Sequence, residues 1–153
     1  MDAIRSNELK LLIATRNLGK FRELTSLLAD CPFTTLSLAE TGIDLDVAET
    51  GSTFEENASL KAAAYSRMSG LITLSDDSGL EVDALGGEPG VLSSRYAGRD
   101  ATDVQRIAYL LRKLDNIPGG ELTARFRCVI AIASFGKSVD LYAGECRGMI
   151  IRT

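Results

Sequence analysis

Two adjacent carboxylates sit in the stretch Ser75-Asp76-Asp77-Ser78-Gly79-Leu80. Neighbouring like charges repel, so such a pair gains from a nearby cation. Magnesium suits it, because that ion takes oxygen ligands and keeps several waters. Side chains alternate along a strand, so one aspartate is expected to face an opening while the other serves structure. Asp, Ser and Gly are also ordinary turn residues, and a plain turn accounts for the same positions. Both readings stand at this level.

Three further groups have types suited to phosphate or metal chemistry. Thr15-x-Asn17-x-x-Lys20 joins a strand-like run to a helical one. Free N–H groups at a helix start favour anions, and Lys20 adds a mobile positive charge. A helix start with an exposed lysine explains the motif equally well, and it is not a Walker A loop, since Phe21 follows Lys20. Glu49 lies in a polar, glycine-punctuated stretch and has no evident local role. Lys61 follows Asn57 by one helical turn, a spacing that also fits a solvated face. Ser93-Ser94-Arg95-Tyr96-Ala97-Gly98 sets an arginine beside an aromatic ring, which suits a phosphate or base contact or a packed corner.

Composition narrows the chemistry. The net charge of −4 gives no reason to expect bulk attraction to a nucleic-acid backbone. Any bound phosphate must therefore meet a local cluster of Lys, Arg and N–H groups. Hydrophobic residues at 45% and charged ones at 25% are ordinary globular proportions and argue against disorder. The length of 153 residues favours one domain. No apolar run approaches the length needed to cross a membrane, and the first residues are polar, unlike a secretion signal. Cys31, Cys128 and Cys146 are far apart. They are expected to be reduced, mostly buried thiols of a cytoplasmic protein. The absence of histidine excludes Ser-His, Cys-His and His-metal chemistry among these residues, leaving a carboxylate or a lysine as the base.

The elements that hold these residues follow from periodicity. Residues 10–14 read as a buried strand. Phe21, Leu24, Leu27 and Leu28 recur at helical spacing until Cys31-Pro32 stops them. Residues 34–38 read as a short strand. Thr53 with Glu56 reads as a capping box. It opens a helix with the inward stripe Phe54, Ala58, Ala62, Tyr65 and Met68, ended by Gly70. A strand at 71–74 leads into the acidic turn, and 80–82 resume as a strand. Thr102 and Gln105 form a second capping box, ahead of a helix packing through Val104, Ile107, Ala108, Leu111 and Leu114. Residues 123–134 and 139–146 form a hairpin around Gly136-Lys137, and residues 148–153 begin another extended segment. This order predicts a mixed α/β domain. The apolar, strand-like ending predicts a chain that is incomplete at its C-terminus.

Taken together and in order, several blocks resemble the Ham1-type, ITPase-like nucleoside triphosphate pyrophosphatases. They are I-A-T-R-N-L-G-K-F-R-E-L, E-T-G-S-T-F-E-E-N-A-x-L-K-A, S-D-D-S-G-L-E-V-D-A-L-G-G-E-P-G-V-x-S-S-R-Y-A-G and A-R-F-R-C-V-I-A. The resemblance runs from Leu11 to the end of the chain. It implies an α/β fold with a mixed sheet, flanking helices and two lobes with a cleft between them, in one domain over residues 1–153. It implies Mg2+-dependent hydrolysis of noncanonical purine nucleoside triphosphates (ITP, dITP, XTP) to the monophosphate and pyrophosphate. The implied protein is a cytoplasmic homodimer with neither nucleic acid nor membrane as partner.

The resemblance also implies residue roles. Thr15, Arg16, Asn17, Leu18, Gly19 and Lys20 would bind the substrate's phosphates, with Lys61 adding a contact. Glu49 and Asp77 would hold Mg2+, Asp77 would be the base that activates water, and Ser78 would contact substrate. Asp76 keeps a supporting role. Members of the family continue for several dozen residues past this endpoint, through a Phe-Gly-Tyr-Asp segment, a lysine and a Ser-His-Arg segment that bind the purine. A chain without them is expected to have impaired turnover. Two other readings stay open: a Maf-like nucleotide pyrophosphatase, and a catalytically impaired nucleotide-binding or dimerisation module.

Overall fold

Leu11, Leu12, Ile13 and Ala14 are buried in succession, the pattern of a strand covered on both faces. In the computed structural model, which describes residues 8–152, these residues form the end of β1 (Leu9–Ile13) and the residue after it. The polar N-terminal stretch, residues 1–7, and Thr153 lie outside the described residues. β1 pairs in parallel with β2 (Phe33–Ser37) and with β3 (Ile72–Val82). With β4 (Thr123–Ala133) and β5 (Asp140–Met149) they make a five-stranded sheet in the order β2-β1-β3-β4-β5. α1 (Leu18–Leu27), α2 (Phe54–Ser69) and α3 (Asp103–Leu114) complete the α/β architecture expected from the order of elements.

The chain divides into two compact units. One holds the residues up to 51, then 55–76 and 130–142; the other holds 52–54, 77–129 and 143 onward. In the first, Leu12, Ala14, Leu38 and Tyr65 pack together, with Ile43, Val47 and Leu71 around them. In the second, Val82, Leu110, Leu114, Leu122 and Ala124 form the core. The Thr102–Gln105 capping box closes in both directions, as expected.

Several expectations need correction. The acidic stretch is not a turn. β3 runs unbroken from Ile72 to Val82, so Ser75 to Gly79 are strand residues. Gly79 is needed for closeness, not for turning. A Cβ there would collide with the Gly90 carbonyl oxygen and with Ser93 Oγ. The segment from residue 86 to 96 is pressed onto the strand at that point, with a 3-10 helix over Gly90–Arg95 where the sequence showed no clear period. Ser93 Oγ donates to the Gly90 carbonyl at 2.6 Å and accepts from Leu80 N–H at 3.0 Å.

Helix faces also shift. Phe54, Ala58, Ala62 and Tyr65 are buried on α2, but Met68, in its last turn, is exposed. On α1, Leu27 is exposed. α3 buries Leu110 and Leu114, while Val104 and Ile107 stay exposed. The inward row runs through Arg106, whose guanidinium donates to the Ser94 and Ala101 carbonyls, and so turns Val104 and Ile107 away. Cys31 and Cys146 are exposed, not buried: one follows α1 in a turn, and the other lies on β5, which is exposed along its whole length. Gly148 and Met149 end β5; they do not open a new segment.

One polar cluster secures the 86–96 segment. Glu88 accepts from Tyr96 Oη at 2.8 Å and from Lys113 Nζ. The Lys113 ammonium also lies over the rings of Tyr96 and Tyr109. The hydrogen bond from Lys113, then that from Tyr96, holds the Glu88 carboxyl below its ordinary pKa. Burial, reinforced by the bond to Glu88, raises that of the Tyr96 phenol.

Two outcomes are expected. Gly79→Ala overpacks the strand and should cost about 1–3 kcal/mol in denaturant unfolding. Glu88→Gln should lower stability at neutral pH. A depressed carboxyl stabilises above its unfolded pKa and loses that contribution as pH falls through the folded one. The gap between wild type and variant in thermal melts should therefore close at acid pH, and added salt should narrow it because the pair is exposed.

Candidate active site

The loop after β1 is built by its own side chains. Asn17 caps α1, its Oδ1 accepting from Gly19 N–H at 2.9 Å and Lys20 N–H at 3.1 Å. Thr15 Oγ1 accepts from Asn17 N–H at 3.2 Å. Two N–H groups that would have met an anion are thus used by the cap. What the loop presents is its positive helix end and the Lys20 side chain. Lys20 Nζ reaches across to β3 and donates to Asp76 Oδ2 at 2.7 Å, with 38% of the lysine and 6% of the aspartate side chain exposed. Arg16 turns the other way, onto the loop that precedes Glu49, where its Nη2 donates to the Asp44 and Leu45 carbonyls.

Glu49 and Lys61 form the second ion pair, at 2.9 Å. Both are more than two-thirds buried, at 27% and 15% side-chain exposure. Asn57, one turn before Lys61 on α2, is fully buried, and its Oδ1 accepts from Gly51 N–H at 2.7 Å. A Cβ at Gly51 would come within 2.7 Å of that oxygen, so glycine is required there for the close approach. Asn57 thereby ties the far end of the Glu49 loop to the helix.

Asp77 follows Asp76 on β3 and is equally buried. Its Oδ1 accepts from Ser78 N–H at 3.0 Å. Two carboxylates in succession on an interior strand are costly unless cations meet them. Lys20 meets the first. Among the described residues, no three His, Cys, Asp or Glu side chains gather closely enough to cage a metal. A hard divalent cation takes one or two carboxylates and completes its shell with phosphate and water. The donors on offer are carboxylate oxygens, and two of the carboxylates already attract a positive group.

The sequence pattern of the Ham1 family matches residues 11–153. The chain belongs to that family. A relative from Geobacter sulfurreducens, named dITP/XTP pyrophosphatase, is 48% identical over 142 residues, covering 93% of this chain and 71% of its own. One of the same name from Geobacillus kaustophilus is 50% identical over 141 residues, covering 92% and 69%. Among solved structures, a HAM1 protein from Coxiella burnetii superposes with a TM-score of 0.88 at 39% identity, covering 95% of this chain and 74% of its own. The nucleoside-triphosphatase, dITP/XTP pyrophosphatase from Mycobacterium abscessus gives 0.82 at 37%, covering 93% and 74%.

Three residues do more in the structure than their local patterns show. Asp76 received a supporting role, yet it is the partner of Lys20. Asn57 was placed only by its spacing from Lys61. Ser93 lay in a block already singled out, but no spacing reveals that it would pin Leu80. Removing one member of an ion pair tests the first. Lys20→Met should destabilise by about 1–2 kcal/mol in urea unfolding, less than the roughly 3–5 of a fully buried pair because the lysine is half exposed. Adding Asp76→Asn should recover part of that loss, since the uncompensated charge is gone.

Proposed function

We propose that this chain hydrolyses noncanonical purine nucleoside triphosphates such as ITP, dITP and XTP to the monophosphate and pyrophosphate, with Mg2+ as its cation. One observation carries the reading. Lys20 and Lys61, on two different helices, are each paired with a carboxylate, Asp76 and Glu49. A triphosphate draws both ammoniums, and a cation that accompanies it takes up the charge of Glu49, which Lys61 releases, and of Asp77, next to the Asp76 that Lys20 releases. Each pair is thus neutral by itself and matches a metal–polyphosphate by exchange of partners. The names of the relatives support the choice of substrate.

Each residue then has a task. Thr15, Asn17, Leu18 and Gly19 shape the helix start against which the phosphate chain lies. Lys20 and Lys61 hold the charge that builds on the departing pyrophosphate. Glu49 and Asp77 would hold Mg2+, which when bound offsets phosphate charge and makes nearby water more acidic. Asp77 orients a water and takes its proton as the water attacks the α-phosphorus. The bond between the α-phosphorus and the bridging oxygen breaks, and pyrophosphate leaves. Ser78 contacts the substrate beside Asp77. The protein acts in the cytoplasm as a homodimer, removing deaminated purines before polymerases can use them.

The test is pyrophosphate release from dITP, XTP and ATP with Mg2+. Faster release from dITP and XTP is expected, and a chelator should abolish it; equal rates with ATP would sink the selectivity for noncanonical purines, and with it the house-cleaning reading. Asp77→Asn should lower kcat by about 10²–10⁴-fold. Near-wild-type turnover by that variant would remove Asp77 from the role of base.

A further inference from the structure

Arg16 lies inside the phosphate-loop motif, but its guanidinium is spent elsewhere. Nη2 donates to the Asp44 carbonyl at 2.8 Å and to the Leu45 carbonyl at 2.9 Å, and Nε lies 3.5 Å from Asp46 Oδ1. A second side chain reaches the same peptide from α2. The Tyr65 hydroxyl donates to the Leu45 carbonyl and accepts from Val47 N–H, both at 3.2 Å. Tyr65 is buried, with its ring in the core of its unit. Beyond Glu49, Asn57 holds Gly51 N–H at 2.7 Å.

These bonds fall in a pattern. Residues 43–51 have no helix or strand to hold them. Such a stretch samples many backbone states, and each ordered residue costs conformational entropy. Side chains fix it at Asp44, Leu45 and Val47 on one side and at Gly51 on the other. Glu49 lies two residues from the nearest fixed point on each side. A carboxylate that must meet a cation in one geometry needs such support, because loosening the groups behind a ligand weakens binding.

We infer that Arg16 is a positioning residue for Glu49: with Tyr65 it clamps the Leu45 peptide and couples the phosphate loop to the carboxylate loop. The inference rests on the proposed role of Glu49 and replaces direct phosphate binding as the function of Arg16. Three consequences follow from the geometry. Lysine at this position supplies one ammonium for two carbonyls but not the third contact, so it rescues in part. Phenylalanine at position 65 keeps the packing and removes the second prong. Both changes act on the same loop and should act less than additively.

The experiment compares wild type, Arg16→Met, Arg16→Lys and Tyr65→Phe, with Arg22→Met, at an exposed position of α1, as a control for charge. Amide hydrogen exchange is measured over residues 44–51, and calorimetry follows Mn2+ and, separately, metal-free inorganic triphosphate. Arg16→Met and Tyr65→Phe should both speed exchange in that loop and weaken Mn2+ about tenfold. Arg16→Lys should lie between Arg16→Met and wild type. Triphosphate affinity should fall no further in Arg16→Met than in the Arg22→Met control. The inference is overturned if Arg16→Met weakens triphosphate selectively while exchange and Mn2+ stay as in wild type. It is also overturned if the loop exchanges at the wild-type rate in both Arg16→Met and Tyr65→Phe. Failure of the proposed function would show differently, as wild-type protein that releases no pyrophosphate from dITP or XTP, and loop exchange would still decide the clamp.

Discussion

A carboxylate on an interior strand is stable only if a cation meets it, and much of the candidate site follows from how this chain satisfies that demand. Asp76 is almost wholly buried on β3. Taking its charge out of water costs several kcal/mol, on the order of what a whole domain has to spare. Lys20 supplies the charge, and to do so α1 must start where it does, with Asn17 capping it and Thr15 shaping the approach. The ion pair thus links the first βα unit to β3. A group held by electrostatics can also be released by electrostatics, and an anionic ligand competes for the same ammonium.

The Glu49–Lys61 pair repeats this logic on an irregular loop. A strand holds Asp76 through its ladder, whereas nothing regular holds Glu49. The support comes from side chains reaching backbone groups: Arg16 and Tyr65 at one end, Asn57 at the other. A glycine at 51 allows one of these approaches. Gly79 does the same for β3, where the Gly90 carbonyl and Ser93 come so close that no side chain fits. In both places the glycine is needed for what lies against it, a requirement that a local turn pattern does not reveal.

Much was legible in the sequence because it depends on near neighbours. The α/β class followed from periodicity and element order. The capping box at Thr102 and Gln105 followed from a three-residue spacing. Four long blocks in order were enough to point to the Ham1 family. Buried Phe54, Ala58, Ala62 and Tyr65 followed from a helical repeat. Where the repeat continued to Met68, packing did not, because a helix end can run past its sheet. The acidic stretch misled because Asp, Ser and Gly have turn propensities that an unbroken interior strand overrides.

What the sequence determined by itself is therefore the set of chemical groups and the elements that carry them: two lysines, three acidic side chains and a strand–loop–helix opening. Tertiary structure alone decided the pairing. Lys20 finds Asp76 across 56 positions and Arg16 finds the Asp44 carbonyl across 28, while Lys61 settles on Glu49. No local rule contains those distances. They arise when the sheet brings β1 beside β3, and desolvation then makes a buried carboxylate select the nearest cation and a loose loop select the nearest donor.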